Sequence, residues 1–355
     1  MIINDFIPVR PEISLASILV YSALTFLIGI FITPCFVQFL KKNKIGKQLR
    51  VESVDGNDAS IFRHFHQKKK GTPTMGGLLI WGSILFTVVF SRILSYIGVV
   101  EHSLLQRGQV YLPLFTLVTL GILGAVDDYW SVLGFGKKKG GIDVLPKILS
   151  LFLVGLLGAL WFHFRLAYDT VHLPFYGDFY INGWYIPLFI FVLMGTANAV
   201  NFTDGLDGLA GGLLVISFIA FGTLAYLEGL YILAGFCGIL VAAVSAFLWN
   251  NVPPALFFMG DTGSLALGGT LAVIAMMIDQ VLVLPIIGII FVVEMLSVII
   301  QLLSKKFRNG KKVFKAAPIH HHFEALGWGE SKVTMRLWIL GGFFAFLGVI
   351  VGVIG

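Results

Sequence analysis

Ten apolar runs follow one another along the chain, at about 15–40, 75–92, 110–127, 144–164, 184–202, 208–227, 229–249, 262–279, 281–304 and 333–354. A helix needs roughly 20 apolar residues to cross the ~30 Å hydrocarbon core of a bilayer, so each run predicts a transmembrane helix. Only 12% of the 355 residues are charged, against about 25% in soluble domains, which leaves too little polar surface to solvate a globule. The expected fold is therefore all-α: a polytopic integral membrane protein with about ten transmembrane helices, forming a single integral domain over residues 1–355. The first run is too long for a signal-peptide core and leads into a basic stretch, so no cleaved leader is expected. Cys35 and Cys237 lie inside apolar runs and imply no disulfide framework. Residues 171–186 alternate aromatic and polar types around Gly177-Asp178, which predicts a small hairpin lying on the outer surface.

Ten crossings put both termini on one side and sort the loops into two sets. Nine Lys and Arg lie in 41–70, four in 137–147 and eight in 305–336, leaving only Arg10, Arg92, Arg107 and Arg165 on the other side. The positive-inside rule then places the first loop set in the cytoplasm and both termini outside. The net charge of +6 is thereby read as a topology signal facing the lipid bilayer, and no nucleic-acid partner is expected.

The unusual polar clusters fall in the cytoplasmic loop set. Lys68-Lys69-Lys70 runs into Gly71-Thr72-Pro73-Thr74-Met75-Gly76-Gly77. Basic residues here serve as a membrane anchor; the Gly and Thr residues would also offer N–H groups and hydroxyls to a phosphate at a helix N-terminus. Asp127-Asp128 closes the third span. Adjacent carboxylates at a membrane edge either face water or are relieved by a cation. Asn201, Asp204 and Asp207 recur three residues apart, stacking on one face if helical, while Gly205 and Gly208 allow a tight turn instead. Asp261 stands before the eighth span, either as its N-cap or as a metal ligand, with Asn250-Asn251 upstream. His320-His321-His322 lies in the basic loop before the last span; three consecutive histidines point different ways and make no zinc site alone. Glu294, in mid-span, faces either a structural hydrogen bond or a lipid-substrate groove. Carboxylates in excess amid cations on one face point to Mg²⁺ and a phosphate substrate, and the position at the lipid edge points to a lipid partner.

In KKGTPTMGG, DDY, NAVNFTDGLDGLA, FMGDTGSL and APIHHHFE, the chain resembles the polyprenyl-phosphate N-acetylhexosamine-1-phosphate transferase superfamily over nearly its whole length. The last motif favours the phospho-N-acetylmuramoyl-pentapeptide transferase branch. The resemblance implies transfer of phospho-MurNAc-pentapeptide from UDP-MurNAc-pentapeptide to undecaprenyl phosphate, giving lipid I and UMP, with Mg²⁺, in the bacterial cytoplasmic membrane. It implies catalytic roles for Asp127, Asp128, Asp261 and His320, with Asp127, Asp128 and Asp261 toward the metal. Lys70, Thr74, Lys147, Asn201, Asp204, Asp207, Asn251, His321 and His322 are implied to bind substrate. A homodimer is also implied. Ser131 stands where many members carry a lysine. Two other readings remain: a sibling transferase using UDP-GlcNAc, and an anion transporter, which would place its polar groups at mid-bilayer.

Overall fold

The computed structural model describes residues 14–46, 69, 71–100, 102–106, 108–136 and 141–355. Its long helices are α1 (Leu15–Lys42), α2 (Gly77–Tyr96), α3 (Tyr111–Leu133), α4 (Val144–Leu160), α5 (Tyr185–Thr203), α6 (Leu209–Leu227), α7 (Tyr231–Asn251) and α8 (Asp261–Met277). After them come the single turn α9 (Leu284–Ile287), then α10 (Ile289–Phe307), α11 (Ile319–Ala325) and α12 (Glu330–Ile354). Between α4 and α5 a two-stranded antiparallel sheet pairs β1 (Thr170–Leu173) with β2 (Gly177–Tyr180).

Each predicted apolar run holds a helix, although the ninth is divided at Gly288 into α9 and α10. Among the described residues, eight helices are long and apolar enough to cross a membrane; α8 is shorter, and α10 carries Glu294, Lys305 and Lys306. The chain is a multi-pass membrane protein.

The bundle is built around α8. Every residue from Thr262 to Met277 is buried, as expected of a helix apolar all round. It packs against α3 and α5, and less extensively against α2 and α6. At about 1.5 Å per residue this helix falls short of a full hydrocarbon thickness, but protein surrounds it and no lipid has to match it. The outer helices turn exposed apolar side chains outward, among them Phe31, Phe164, Phe191 and Ile339, as a lipid-facing surface requires.

At the end of the bundle away from the acidic cluster, the hairpin packs over the helix ends. Its turn is Pro174-Phe175-Tyr176, and Gly177-Asp178 opens β2. Pro174 has no N–H to extend the ladder, and Phe175 takes the positive φ of 70° that reverses the chain. The His172 imidazole meets the Asp178 carboxylate at 2.7 Å and the Gly355 carbonyl at 3.2 Å. Both ring nitrogens thus face acceptors, which favours the imidazolium and raises its pKa, chiefly through Asp178.

The main-chain N–H of His172 donates to Asp279 at 3.3 Å. Burial raises the Asp279 carboxyl to about 6, with Asp178 adding to the shift and the His172 bond and charge opposing it. A carboxyl raised on folding stabilises the fold in its protonated form. That contribution is complete below the unfolded value of 3.8 and is lost as pH rises through about 6. Asp279 has φ 52°, which Asn also tolerates, and an amide oxygen can still accept from His172. D279N is therefore expected to match the parent near pH 4 and to melt about 1–2 °C higher at pH 7.5, measured by thermal denaturation in detergent at both pH values.

Candidate active site

The site begins where α3 meets α8. Gly124 lies so close to α8 that a Cβ there would stand 2.1 Å from the Asp261 carbonyl oxygen, so only glycine permits the contact. One turn further on, α3 presents Asp127 and Asp128 to the N-terminus of α8. Asp128 accepts from the main-chain N–H of Asp261 at 3.1 Å, that of Thr262 at 3.0 Å, and the Thr262 hydroxyl at 2.6 Å. The first N–H groups of a helix have no partner within it, and a carboxylate there also favours the helix dipole. Asp128 thus caps a helix to which it does not belong. Asp261 is not the N-cap that its position suggested. It is the first helical residue, after Gly260, which directs its carboxylate toward neighbouring side chains.

Those neighbours come from three other helix ends. Lys147, in the first turn of α4, forms a close ion pair with Asp261 and a second with Asp127 at 3.3 Å. Asn201, near the end of α5, donates to the other Asp261 oxygen at 2.7 Å and to Ser264 at 2.8 Å. The main-chain N–H of Ile142 donates to Asp127 at 2.7 Å. Asp127 and Asp261 are themselves in hydrogen-bonding contact. Two carboxylates, Asp127 and Asp261, converge on one ammonium with Asp128 beside them, leaving among the described residues an excess of negative charge that a further cation would relieve. Lys147 supplies positive charge to the cluster.

The turn between α5 and α6 divides the predicted triplet. Asn201 stays helical, the Asp204 carboxylate accepts from Gly260 N–H at 3.2 Å, and Asp207 faces elsewhere. Asp207 pairs with Lys69 at 2.6 Å and accepts from the Ala255 N–H at 3.0 Å. Glu330, the first residue of α12, accepts from Lys69 at 2.5 Å and from the Asp207 N–H at 2.7 Å. Sequence reasoning missed Lys69 and Glu330; the only signal was a lone acid opening an apolar run and one lysine among three. Asn251 is likewise built into the fold, accepting from Gly208 N–H and donating to the Phe257 carbonyl, both at 2.9 Å.

The Gly-Thr-Pro segment also departs from its expected role. Gly76 and Gly77 donate to the carbonyls of Phe258 and Met259 at 2.8 and 2.9 Å, and Thr74 donates to Ile45 at 3.3 Å. These N–H groups join two motifs to each other and are not left for a phosphate. The Thr74 hydroxyl stands beside Gly260. Lys70 and Lys137-Lys138-Lys139 lie outside the described residues. The three histidines diverge as expected: His320 bonds Glu294 at 2.9 Å, His321 bonds Glu324 at 2.7 Å, and His322 accepts from Lys315 N–H at 3.1 Å.

Among the described residues, no three His, Cys, Asp or Glu side chains are arranged to chelate an ion by themselves. Magnesium does not require that arrangement, since it is commonly held by one or two carboxylates together with substrate phosphates. Asp127 and Asp261 fit such a donor set. Asp128, with three donors already on it, fits less well.

Fold and site together define a polytopic membrane protein with a carboxylate-rich centre at one end of its bundle. Residues 110–279 match the family model described as glycosyl transferase family 4, and residues 69–80 match phospho-N-acetylmuramoyl-pentapeptide-transferase signature 1. Relatives carrying the name phospho-N-acetylmuramoyl-pentapeptide-transferase include one from Chloroflexus aurantiacus, 38% identical over 94% of this chain and 89% of that one. Others are from Geobacillus thermodenitrificans and Bacillus cereus, each 40% identical over 95% of this chain and 98% of theirs. The chain belongs to the phospho-N-acetylmuramoyl-pentapeptide-transferase family.

Two outcomes follow from the geometry. G124A has to push α3 away from Asp261 and is expected to lower turnover at least about 100-fold while keeping the helical circular dichroism. G82A, whose Cβ would meet nothing within 4 Å, serves as the unaffected control. N251A leaves a buried N–H and a carbonyl unpaired and is expected to cost roughly 1–3 kcal/mol, read as a lower melting temperature with substrate KM unchanged.

Proposed function

We propose that the chain transfers phospho-MurNAc-pentapeptide from UDP-MurNAc-pentapeptide to undecaprenyl phosphate, forming lipid I and UMP in peptidoglycan biosynthesis. The single observation behind this reading is the convergence of Asp127, Asp261, Lys147 and Asn201 from four helix ends. It builds a charged centre suited to phosphates at the edge of an apolar bundle. Family membership supplies the substrates.

In this reading all ten apolar runs cross the bacterial cytoplasmic membrane as one integral domain. Both termini lie outside and the charged centre opens to the cytoplasm, where the lysine and arginine bias places it. A phosphate oxygen of the lipid attacks the β-phosphorus of the nucleotide sugar. The new P–O bond forms as the bond to the α-phosphate oxygen breaks, and UMP leaves. Lys147 neutralises developing charge, Asn201 holds the Asp261 carboxylate in place, and Asp127 holds the lipid phosphate in its reactive, deprotonated form. Asp128 acts by fixing the start of α8 and hence Asp261. Lys70, Thr74, Asp204, His321 and His322 belong to the substrate-binding surround. The metal expected at Asp127 and Asp261 is Mg²⁺, whose chemistry there is charge neutralisation of the diphosphate. Phosphoryl transfer needs little more than such positioning and neutralisation. A homodimer is part of the proposal through the family alone.

The test is UMP release by the detergent-purified protein with undecaprenyl phosphate and Mg²⁺, offering UDP-MurNAc-pentapeptide and UDP-GlcNAc separately. Release with the muramoyl donor alone, abolished by EDTA and nearly abolished in D261N, is the expected result. Release with UDP-GlcNAc alone would move the substrate assignment to the sibling enzyme, and full activity in D261N would remove the metal assignment.

A further inference from the structure

The mid-span glutamate has a place in the site. The buried face of α10 carries Glu294, Ser297, Gln301 and Ser304, a polar stripe at helical spacing on a helix whose other face exposes Val293, Leu296, Ile300 and Leu303. The stripe holds the segment leading to the histidines. Gln301 accepts from the N–H groups of Val313 and Phe314, both at 3.0 Å, and donates to the Phe314 carbonyl at 3.0 Å. Ser304 donates to the Lys311 carbonyl at 2.9 Å. Glu294 is the innermost member, and its partner is His320. Both side chains are wholly buried.

The pairing fixes where the imidazole proton sits. One Glu294 oxygen, Oε2, faces the main-chain N–H of His320 at 3.4 Å and the ring Nδ1 at 2.9 Å. An ionised carboxylate can only accept, so with Glu294 as the carboxylate Nδ1 carries the hydrogen. The other ring nitrogen, Nε2, is buried without a hydrogen-bond partner among the described residues. It lies against the turn that carries Asp204: a Cβ on Gly205 would stand 2.3 Å from it. Leaving such a nitrogen unpaired costs stability. The fold therefore holds His320 by one nitrogen and leaves the other turned to the catalytic turn.

We infer that Glu294 is a positioning residue, which holds His320 in the Nδ1–H form so that Nε2 faces the Asp204 turn for the transfer reaction. The effect on turnover rests on the reaction proposed above; the proton placement does not. In a neutral ring Nε2 presents a lone pair to the Gly205 backbone of that turn, whereas the opposite tautomer would place an N–H there and lose the bond to Glu294.

The experiment combines a spectroscopic and a kinetic readout. In protein labelled with ¹³C,¹⁵N-histidine, the His320 resonances are assigned by their loss in H320Q. They are expected to carry the Nδ1–H signature in the parent and in E294Q, whose amide oxygen still accepts, and to lose it in E294M. UMP release is expected to fall about 10–100-fold in kcat for E294M with donor KM little changed, and E294Q is expected to recover most of the loss. A parent spectrum showing the Nε2–H form overturns the inference even if no variant folds. E294M with parental tautomer and kcat overturns it too, as does equal damage by E294M and E294Q with the tautomer unchanged in both. The Nδ1–H signature in a parent that releases no UMP would sink the proposed reaction and leave the assignment of the proton standing.

Discussion

The start of α8 is held by a carboxylate from another helix, and the rest of the site depends on that contact. Asp128 takes the two leading N–H groups of α8 and the Thr262 hydroxyl. In a membrane bundle these groups have little water to turn to, and a polar group left unpaired there costs several kcal/mol. The requirement is therefore structural before it is chemical. Meeting it with an ionised side chain from α3 brings Asp127, the preceding residue, to the same place. Gly124 allows the approach, and Asp261 follows because its own main-chain N–H is one of the groups being capped.

This arrangement divides the polar residues into two kinds. Asp128, Asn251, Asp207, Glu330 and Lys69 have their hydrogen-bonding capacity directed at backbone or at one another across helix ends. They join α2, α6, α7 and α12 around the acidic centre. Asp127, Asp261, Lys147 and Asn201 bond mainly to one another. Such residues are expensive to bury unless paired. Two acids sharing one lysine, with a third beside them, are a poor stabilising device.

Much of the architecture was legible in the sequence because an apolar run of about 20 residues has few alternatives in a bilayer. All ten runs hold helices, and the polar motifs that cluster in the loops do meet at one end of the bundle. Which donor meets which acceptor was not legible. Asp207 and Asp204 are three residues apart, yet they face different partners because α5 ends at Thr203 and the chain turns between them. The Gly76 and Gly77 N–H groups looked available to a phosphate; only the folded chain shows Phe258 and Met259 across from them. The hairpin was foreseen; its reversal lies at Pro174-Phe175-Tyr176, with Phe175 and Gly177 both at positive φ, 70° and 88°.

Glu294 shows why such residues resist reading from the sequence. An acid in mid-span is recognisable as costly, but its purpose depends on a histidine 26 positions away on a short helix that the loop folds back into the bundle. The polar stripe of α10 makes that return specific: Gln301 satisfies three main-chain groups of the incoming segment, so the loop has one register in which to lie. With the register set, His320 reaches Glu294 with one nitrogen and the Asp204 turn with the other. The lipid-exposed face of the same helix carries no such constraint. One helix thus separates two environments: its outer face accepts almost any apolar residue, while its inner face specifies the position of a single proton.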